Sequence, residues 1–286
     1  MVSPLKQIFF PVSFTELFAI WGRFPAAKIY AGGTNIYHNY HRRKKNQSFT
    51  EDQNTEPLIF LCLDKIEELQ SITRTEQYLE IGAMVKLNSL VYLGKTVPYV
   101  LCKCIENIAG IQVKNLATVG GNICIKPQLP DLPVPLIALD AQYEIRNTQS
   151  SRWVSAARFH SKTEDSSLKN QELLTRIRLP LYQWDYSYYK KFYREELFYS
   201  ETLVFLAKTP KNTLSEIRII YKNNEILRNK DGETILNGKS LPLDKKSANE
   251  FMENWRQFLE QKHDITEFAR SALLHCIEEN VYNLFE

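Results

Sequence analysis

Glycine, cysteine and methionine are scarce in this chain, at 10, 5 and 3 of 286 residues. No apolar stretch reaches the roughly 18 residues of a membrane-spanning helix, so no membrane association is expected. The five cysteines (Cys62, Cys102, Cys104, Cys124 and Cys276) form no C-x-x-C, and Cys102 and Cys104 stand too close in sequence for a zinc or iron–sulfur ligand pair. An odd number of thiols without a secretory leader fits a reducing, cytoplasmic setting. No H-E-x-x-H or similar histidine cluster is present, so no resident metal is expected. A net charge of +3 supplies neither a nucleic-acid surface nor a polybasic membrane anchor. The first 25 residues are apolar, but Pro4, Pro11 and Glu16 interrupt them and no small-residue cleavage site closes them. They read as part of the fold and not as a signal peptide.

What is present is globular: 44% hydrophobic and 24% charged residues, over a length that suits about two domains at ~150 residues each. "SFTE" at 13–16 fits a capping box, and Phe14, Leu17, Phe18, Trp21 and Phe24 follow at helical spacing. A short strand is predicted over 28–30, with buried strands over 57–64 and 78–85. Residues 86–93 and 97–109 read as helices, and "PLIALDAQYEIRN" reads as a helical turn followed by a strand. Residues 38–56 are polar and read as an exposed loop carrying a basic run, Arg42 to Lys45. A strand over 172–180 ends at Pro180, where a tyrosine-rich composition begins. Strands at 202–209 and 216–223 and two amphipathic helices over 244–284 complete the chain. The expected domains are 1–180, with subdomains of about 1–56 and 57–180, and 181–286.

Four of the ten glycines fall in two pairs, "AGGTNIY" at 31–37 and "ATVGGNI" at 117–123. A glycine pair after a strand lets the backbone reach φ > 0 and approach a ligand closely. Successive N–H groups there form a concave anion site, and a neighbouring threonine adds a hydroxyl. Each pair taken alone also fits an ordinary turn. Two such loops meeting in space would hold a pyrophosphate without a cationic side chain. G-x-G-x-x-G is absent. "GETILNGKS" at 232–240 has one residue too many for a P-loop and opens no helix, so it is set aside.

The ordered set "AGGTNIY", "NIAGIQVKNLATVGGNI", "LPDLPVPLIALDAQYEI", "LLTRIRLP" and "YYKKF" resembles the FAD-binding medium subunit of the molybdenum hydroxylases, the xanthine dehydrogenase and carbon monoxide dehydrogenase flavoprotein type. The likeness extends over nearly the whole chain. It implies an α+β fold: a vanillyl-alcohol-oxidase-type (PCMH-like) FAD-binding domain of two subdomains, plus a C-terminal α+β domain. By the same resemblance Ala31, Gly32, Gly33, Thr34 and Asn35 line the FAD pyrophosphate on one side. Thr118, Gly120, Gly121 and Asn122 approach it from the other. Asp131 would accept from hydroxyls of the flavin's sugar-like chain, or else merely cap the helix after it. Ile108 and Leu174 would touch the cofactor or belong to the core. Lys191 would lie near the isoalloxazine or be an ordinary surface lysine. Asn35, Ile36, Ile125 and Lys126 depart from the family pattern, and the last two stand where the chain would near the flavin.

The resemblance also implies an electron-transfer role with no catalytic acid, base or nucleophile in this chain. Electrons would come from a molybdenum-cofactor-binding large subunit through a 2Fe-2S small subunit, reach FAD, and leave to NAD or another acceptor. Two other readings stay open: a cofactor-free scaffold of the same fold, and a stand-alone flavin oxidase.

Overall fold

The computed structural model describes residues 6–39, 58–126, 129–161, 168–192 and 200–284, so the basic run at 42–45 lies outside the described residues. Packing divides the chain into two units. The first comprises Met1–Val97, Ile108–Lys126 and Ala141–Pro180, and the second comprises Pro98–Asn107, Pro127–Asp140 and Leu181–Glu286.

The first unit begins with a three-stranded parallel sheet. β1 (Lys6–Phe9), β2 (Lys28–Tyr30) and β3 (Leu58–Cys62) lie in the order β1-β3-β2. Parallel strands need a crossover, and the helix Phe14–Arg23 supplies the one from β1 to β2, burying Leu17, Phe18 and Trp21. Its start follows the capping logic with one shift. The Ser13 hydroxyl accepts from Glu16 N–H at 3.2 Å, and the Glu16 carboxylate reaches back to Val12 N–H at 2.9 Å.

A five-stranded antiparallel sheet follows, made of β4 (Ile72–Arg74), β5 (Tyr78–Gly82), β6 (Gln142–Arg146), β7 (Ser151–Ser155) and β8 (Leu173–Pro180). Its order is β4-β5-β8-β6-β7. Alternation assigns its faces. Leu79, Ile81, Tyr143, Ile177 and Leu179 are fully buried, while Arg176 and Arg178 on β8 pair with Glu80 on β5 at 2.9 and 2.7 Å.

The second unit holds an antiparallel sheet of β9 (Tyr186–Phe192), β10 (Glu201–Lys208), β11 (Glu216–Lys222) and β12 (Ile226–Arg228), in the order β12-β11-β10-β9. Phe205, Ile219 and Tyr221 meet Phe251, Trp255, Leu273 and Ile277 of the helices Lys245–Glu260 and Glu267–Tyr282. Asp244 and Thr266 cap those two helices through their side chains. Alternate residues Val204, Leu206 and Ile220 are equally buried. The helices Tyr99–Glu106 and Pro133–Ala138 pack onto this sheet, the first on β9 and the second on β10 and β11. That is why segments 98–107 and 127–140 join a unit whose remaining chain starts at 181. The segment 232–240 holds no phosphate loop, since Gly232 lies inside the helix Lys230–Leu236.

Candidate cofactor-binding site

β2 ends at Tyr30, and the chain passes through Ala31, Gly32 and Gly33 into a helical segment, 34–39. Thr118 stands at the start of the short helix Val119–Ile123, which carries the second glycine pair. Both stretches line one cavity of about 240 Å³ in the first unit. Ala31, Gly32, Gly33, Thr34, Asn35, Thr118, Gly120, Gly121, Asn122 and Leu174 all border it, with Ile29, Met84 and Leu173 adding apolar wall. The volume is below the usual ~300–1,000 Å³ of sites for drug-sized ligands. It suits part of a dinucleotide.

A side chain would be crowded or strained at each of these glycines, most firmly at Gly32, where the obstacle is backbone. A Cβ on Gly32 would run into the Leu116 carbonyl oxygen, and Gly33 sits at φ +70°. A Cβ on Gly120 would lie 2.7 Å from Ala83 Cβ, and one on Gly121 would lie 2.6 Å from Thr118 Oγ1.

The two loops are not equivalent donors. In the second, Val119 N–H bonds to Val85 O, Gly120 N–H to Ala83 O, Gly121 N–H to Thr118 Oγ1 and Asn122 N–H to Thr118 O. These amides are therefore engaged inside the fold, and the expectation of an N–H nest at both pairs does not hold at the second. In the first loop, among the described residues, no backbone hydrogen bond uses the N–H groups of Gly32, Gly33, Thr34 or Asn35. What the second loop offers is shape and Asn122. That side chain is 8% exposed, and its Oδ1 is buried with no hydrogen-bond partner among the described residues. An orphaned acceptor in a cavity wall fits a ligand that brings a donor, since an unmet buried polar atom is costly.

No lysine or arginine is among the described residues that line the cavity. Its one carboxylate, Glu172, is held by Arg152 at 2.9 Å and by Lys169 N–H at 2.9 Å. Burial pushes the Glu172 carboxyl up, but these hydrogen bonds outweigh it and hold it below the usual range. Cys124 also borders the cavity, and burial pushes its thiol up to about 12, so it is an inert wall at neutral pH.

Asp131 and Lys191 lie together in the second unit, with a salt bridge of 2.8 Å between Lys191 Nζ and Asp131 Oδ2. Lys191 also donates to the Asn107 carbonyl at 2.7 Å. Its side chain is 8% exposed, so it is not a surface lysine. Asp131 Oδ1 accepts from Ser200 Oγ at 2.6 Å, Thr202 Oγ1 at 3.3 Å and Lys222 Nζ. Burial raises the Asp131 pKa, but Lys222 and Lys191 outweigh it and hold the carboxyl below its ordinary value. Asp131 does not cap the helix that follows; the residue at that cap is Leu132, with no side-chain bond.

Ile108 is half-buried after the helix Tyr99–Glu106 and does not border the cavity. Lys222, Ser200 and Thr202 are the polar residues that sequence reasoning missed. Alternation along "EIRIIYK" puts Arg218, Ile220 and Lys222 on one face, but nothing local points to a partner 91 residues earlier.

Residues 4–182 match the family model described as the FAD binding domain in molybdopterin dehydrogenase. The chain belongs to this family. The chain is 30% identical over 159 residues to the xanthine dehydrogenase FAD-binding subunit of Escherichia coli O157:H7, covering 54% of this chain and 51% of that protein. The chain thus spans about half the length of the first curated relatives it matches. The carbon monoxide dehydrogenase medium chain of Hydrogenophaga pseudoflava is 27% identical over 250 residues, covering 84% of this chain and 83% of that one. In fold, the chain is similar to quinoline 2-oxidoreductase from Pseudomonas putida 86, with a TM-score of 0.76, 19% identity, and coverage of 99% of this chain and 96% of that one. Among the described residues no helix is long and apolar enough to cross a membrane.

Proposed function

We propose that the chain is the FAD-bearing electron-transfer subunit of a molybdenum hydroxylase complex, assembled with a molybdenum-cofactor-binding large subunit and a 2Fe-2S small subunit. The observation that carries this reading is the cavity in the first unit: two glycine pairs where a Cβ would crowd a neighbour or the backbone is left-handed, first-loop amides without a backbone acceptor among the described residues, and an Asn122 oxygen without a partner among them. These features fit a diphosphate that arrives with hydrogen-bond donors attached, as in FAD. Bound FAD would supply the redox chemistry, accepting electrons singly and releasing them in pairs to NAD or another acceptor.

The chain's own residues bind and orient. Gly32, Gly33, Thr34 and Asn35 would hold the pyrophosphate by backbone donors, with Ala31 and Leu174 as apolar wall. Thr118, Gly120 and Gly121 shape the opposite side, and Asn122 would accept from a cofactor hydroxyl or amine. Asp131 would accept from the flavin's polyol chain, with Lys191 beside it, and Ile108 would add an apolar contact. No side chain is assigned as acid, base or nucleophile.

The test is the visible absorption spectrum of the purified chain after incubation with FAD and gel filtration. Flavin bands that stay with the protein are expected. A colourless protein, in the presence of the two partner subunits as well as alone, would replace this reading with the cofactor-free scaffold. Turnover of a small substrate by the isolated chain would favour the stand-alone oxidase.

A further inference from the structure

We propose that Tyr30 is a positioning residue for the first glycine loop: its phenol, braced on the parallel sheet, props the backbone at Gly33 and so aims the amides of residues 32–35 at a diphosphate. The inference deepens the cofactor reading above and rests on it. All the groups it uses lie in the first unit. Tyr30 is the last residue of β2, whose pairing with β3 sets Lys28 opposite Phe60 and Tyr30 opposite Cys62. Residues two apart on a strand share a face, so Tyr30 and Phe60 are diagonal neighbours on one face. Their rings meet edge-on with centroids 6.0 Å apart, a favoured aromatic arrangement. The Tyr30 carbonyl accepts from Leu63 N–H at 3.0 Å. Backbone and ring of Tyr30 are thus both tied to β3 and the residue just after it.

The chain then curls back over this ring. Three residues on, Gly33 has φ +70°, and a Cβ there would collide with the Tyr30 hydroxyl oxygen and lie 2.7 Å from Cζ and 3.1 Å from Cε2. The end of the phenol fills the space in which any other residue would carry its side chain. Packing meets the loop at two successive residues, the Leu116 carbonyl at Gly32 and the phenol at Gly33. That hold matters because the N–H groups of Gly32, Gly33, Thr34 and Asn35 make no backbone hydrogen bond among the described residues. Their direction is set by packing and by the turn, not by a hydrogen-bond ladder. The Gly33 carbonyl accepts from Tyr37 N–H at 2.9 Å, so a shift at Gly33 is passed to the helical segment 34–39. A glycine pair left to itself would sample many backbone states. Donors aimed before the ligand arrives spare that ordering cost on binding.

The experiment compares the wild-type chain with Tyr30→Phe, which keeps the ring and removes the oxygen against Gly33, and Tyr30→Leu, which removes the prop. FAD affinity is read by flavin fluorescence and ADP-ribose affinity by competition. Thermal midpoints and backbone order parameters from nitrogen-15 relaxation are recorded without ligand. Y30L should bind FAD ~10-fold more weakly and Y30F ~3-fold, as expected when a preorganised loop must be ordered on binding. ADP-ribose shares the diphosphate and should lose the same factors. The order parameters of residues 32–35 should fall from about 0.85 towards 0.6 in Y30L, with the rest of the first unit unchanged and the thermal midpoint of Y30F close to that of wild type. Unchanged FAD affinity in folded Y30L, or in Y30F if only that variant folds, would overturn the inference while leaving the cofactor reading intact. A loss for FAD without a loss for ADP-ribose would overturn it as well, since the effect would then lie away from the diphosphate. Loosening spread over the whole unit with a lowered thermal midpoint in both variants would reduce Tyr30 to a core residue. A wild-type chain that takes up no FAD removes the cofactor reading itself, and this inference with it.

Discussion

Asn122 is the residue whose two roles pull in opposite directions. Its buried Oδ1 has no partner among the described residues, so it costs stability in the empty site and gains a bond when a ligand brings a donor. Asn122→Leu, of similar size, should leave the thermal midpoint of the ligand-free chain unchanged or raised, and weaken FAD binding by about 10-fold, the scale of one lost hydrogen bond. Calorimetry and a fluorescence titration check both signs; a destabilised apo protein with intact FAD affinity would remove Asn122 from the site. Gly32 answers to a different constraint. Because the obstacle to a Cβ there is a backbone carbonyl, not a movable side chain, Gly32→Ala should weaken FAD binding by ~10-fold or more and lower the thermal midpoint as well. Equal affinity in G32A would mean that the first loop does not need its close approach.

At the scale of elements, the helix Ala156–Phe159 delivers His160 against β6. His160 packs edge-on to the rings of Tyr143 and Phe159, with Nε2 3.5 Å from the Tyr143 hydroxyl. Burial, with Lys126 adding repulsion, pushes its pKa down to about 3, so the native imidazole is neutral. An unfolded chain binds a proton at His160 below about pH 6.5, and the native chain does not. Stability is therefore full above pH 6.5 and is lost as pH falls towards 3, at up to ~1.4 kcal/mol per pH unit. Glu80, Glu172, Glu216 and Asp131 are all held below their ordinary values, so the stability they add is lost only as pH falls below about 4.5, separately from the fall between pH 6.5 and 5. The urea midpoint of the wild-type chain should fall between pH 6.5 and 5, and His160→Gln should flatten that fall. Identical slopes would mean that His160 exchanges protons freely in the native state. The polar face of the same sheet behaves differently. Glu80→Gln breaks two part-exposed pairs with Arg176 and Arg178. It should cost only about 0.5–1 kcal/mol at low salt and less at high salt, read from denaturant midpoints.

For the whole molecule, the division into units is not a cut in the sequence. The helices Tyr99–Glu106 and Pro133–Ala138 bury Val100, Leu101, Cys104, Ile105, Val134 and Leu136, and they pack on strands that begin at residue 186. A fragment ending at residue 180 contains nearly all of the family match at 4–182, yet it leaves those apolar faces bare and Asp131 without Lys191 and Lys222. Expressed alone, 1–180 should aggregate or lack a cooperative thermal transition, as read by size-exclusion chromatography and circular dichroism. A monodisperse, cooperatively melting fragment would show that the two segments refold onto the first unit.

Periodicity and glycine placement were legible from the sequence because they are local. The helix after Ser13, the strand at 28–30, the strand expected over 78–85 and observed at Tyr78–Gly82, the paired C-terminal helices and both glycine pairs follow from spacing, caps and the absence of a Cβ. β1, β4, β7 and β12 have no counterpart in the sequence reading, being short segments whose pairing, with β3, β5, β6 and β11, is set by other strands, and β9 is hidden by its tyrosine-rich composition. Only the tertiary structure decided that the two glycine loops differ. The N–H groups of Val119 and Gly120 are taken by Val85 and Ala83, about 35 residues away in the chain. Only it could bring Asp131, Lys191 and Lys222 to one point, because a buried charge finds its partner through packing and not through sequence distance.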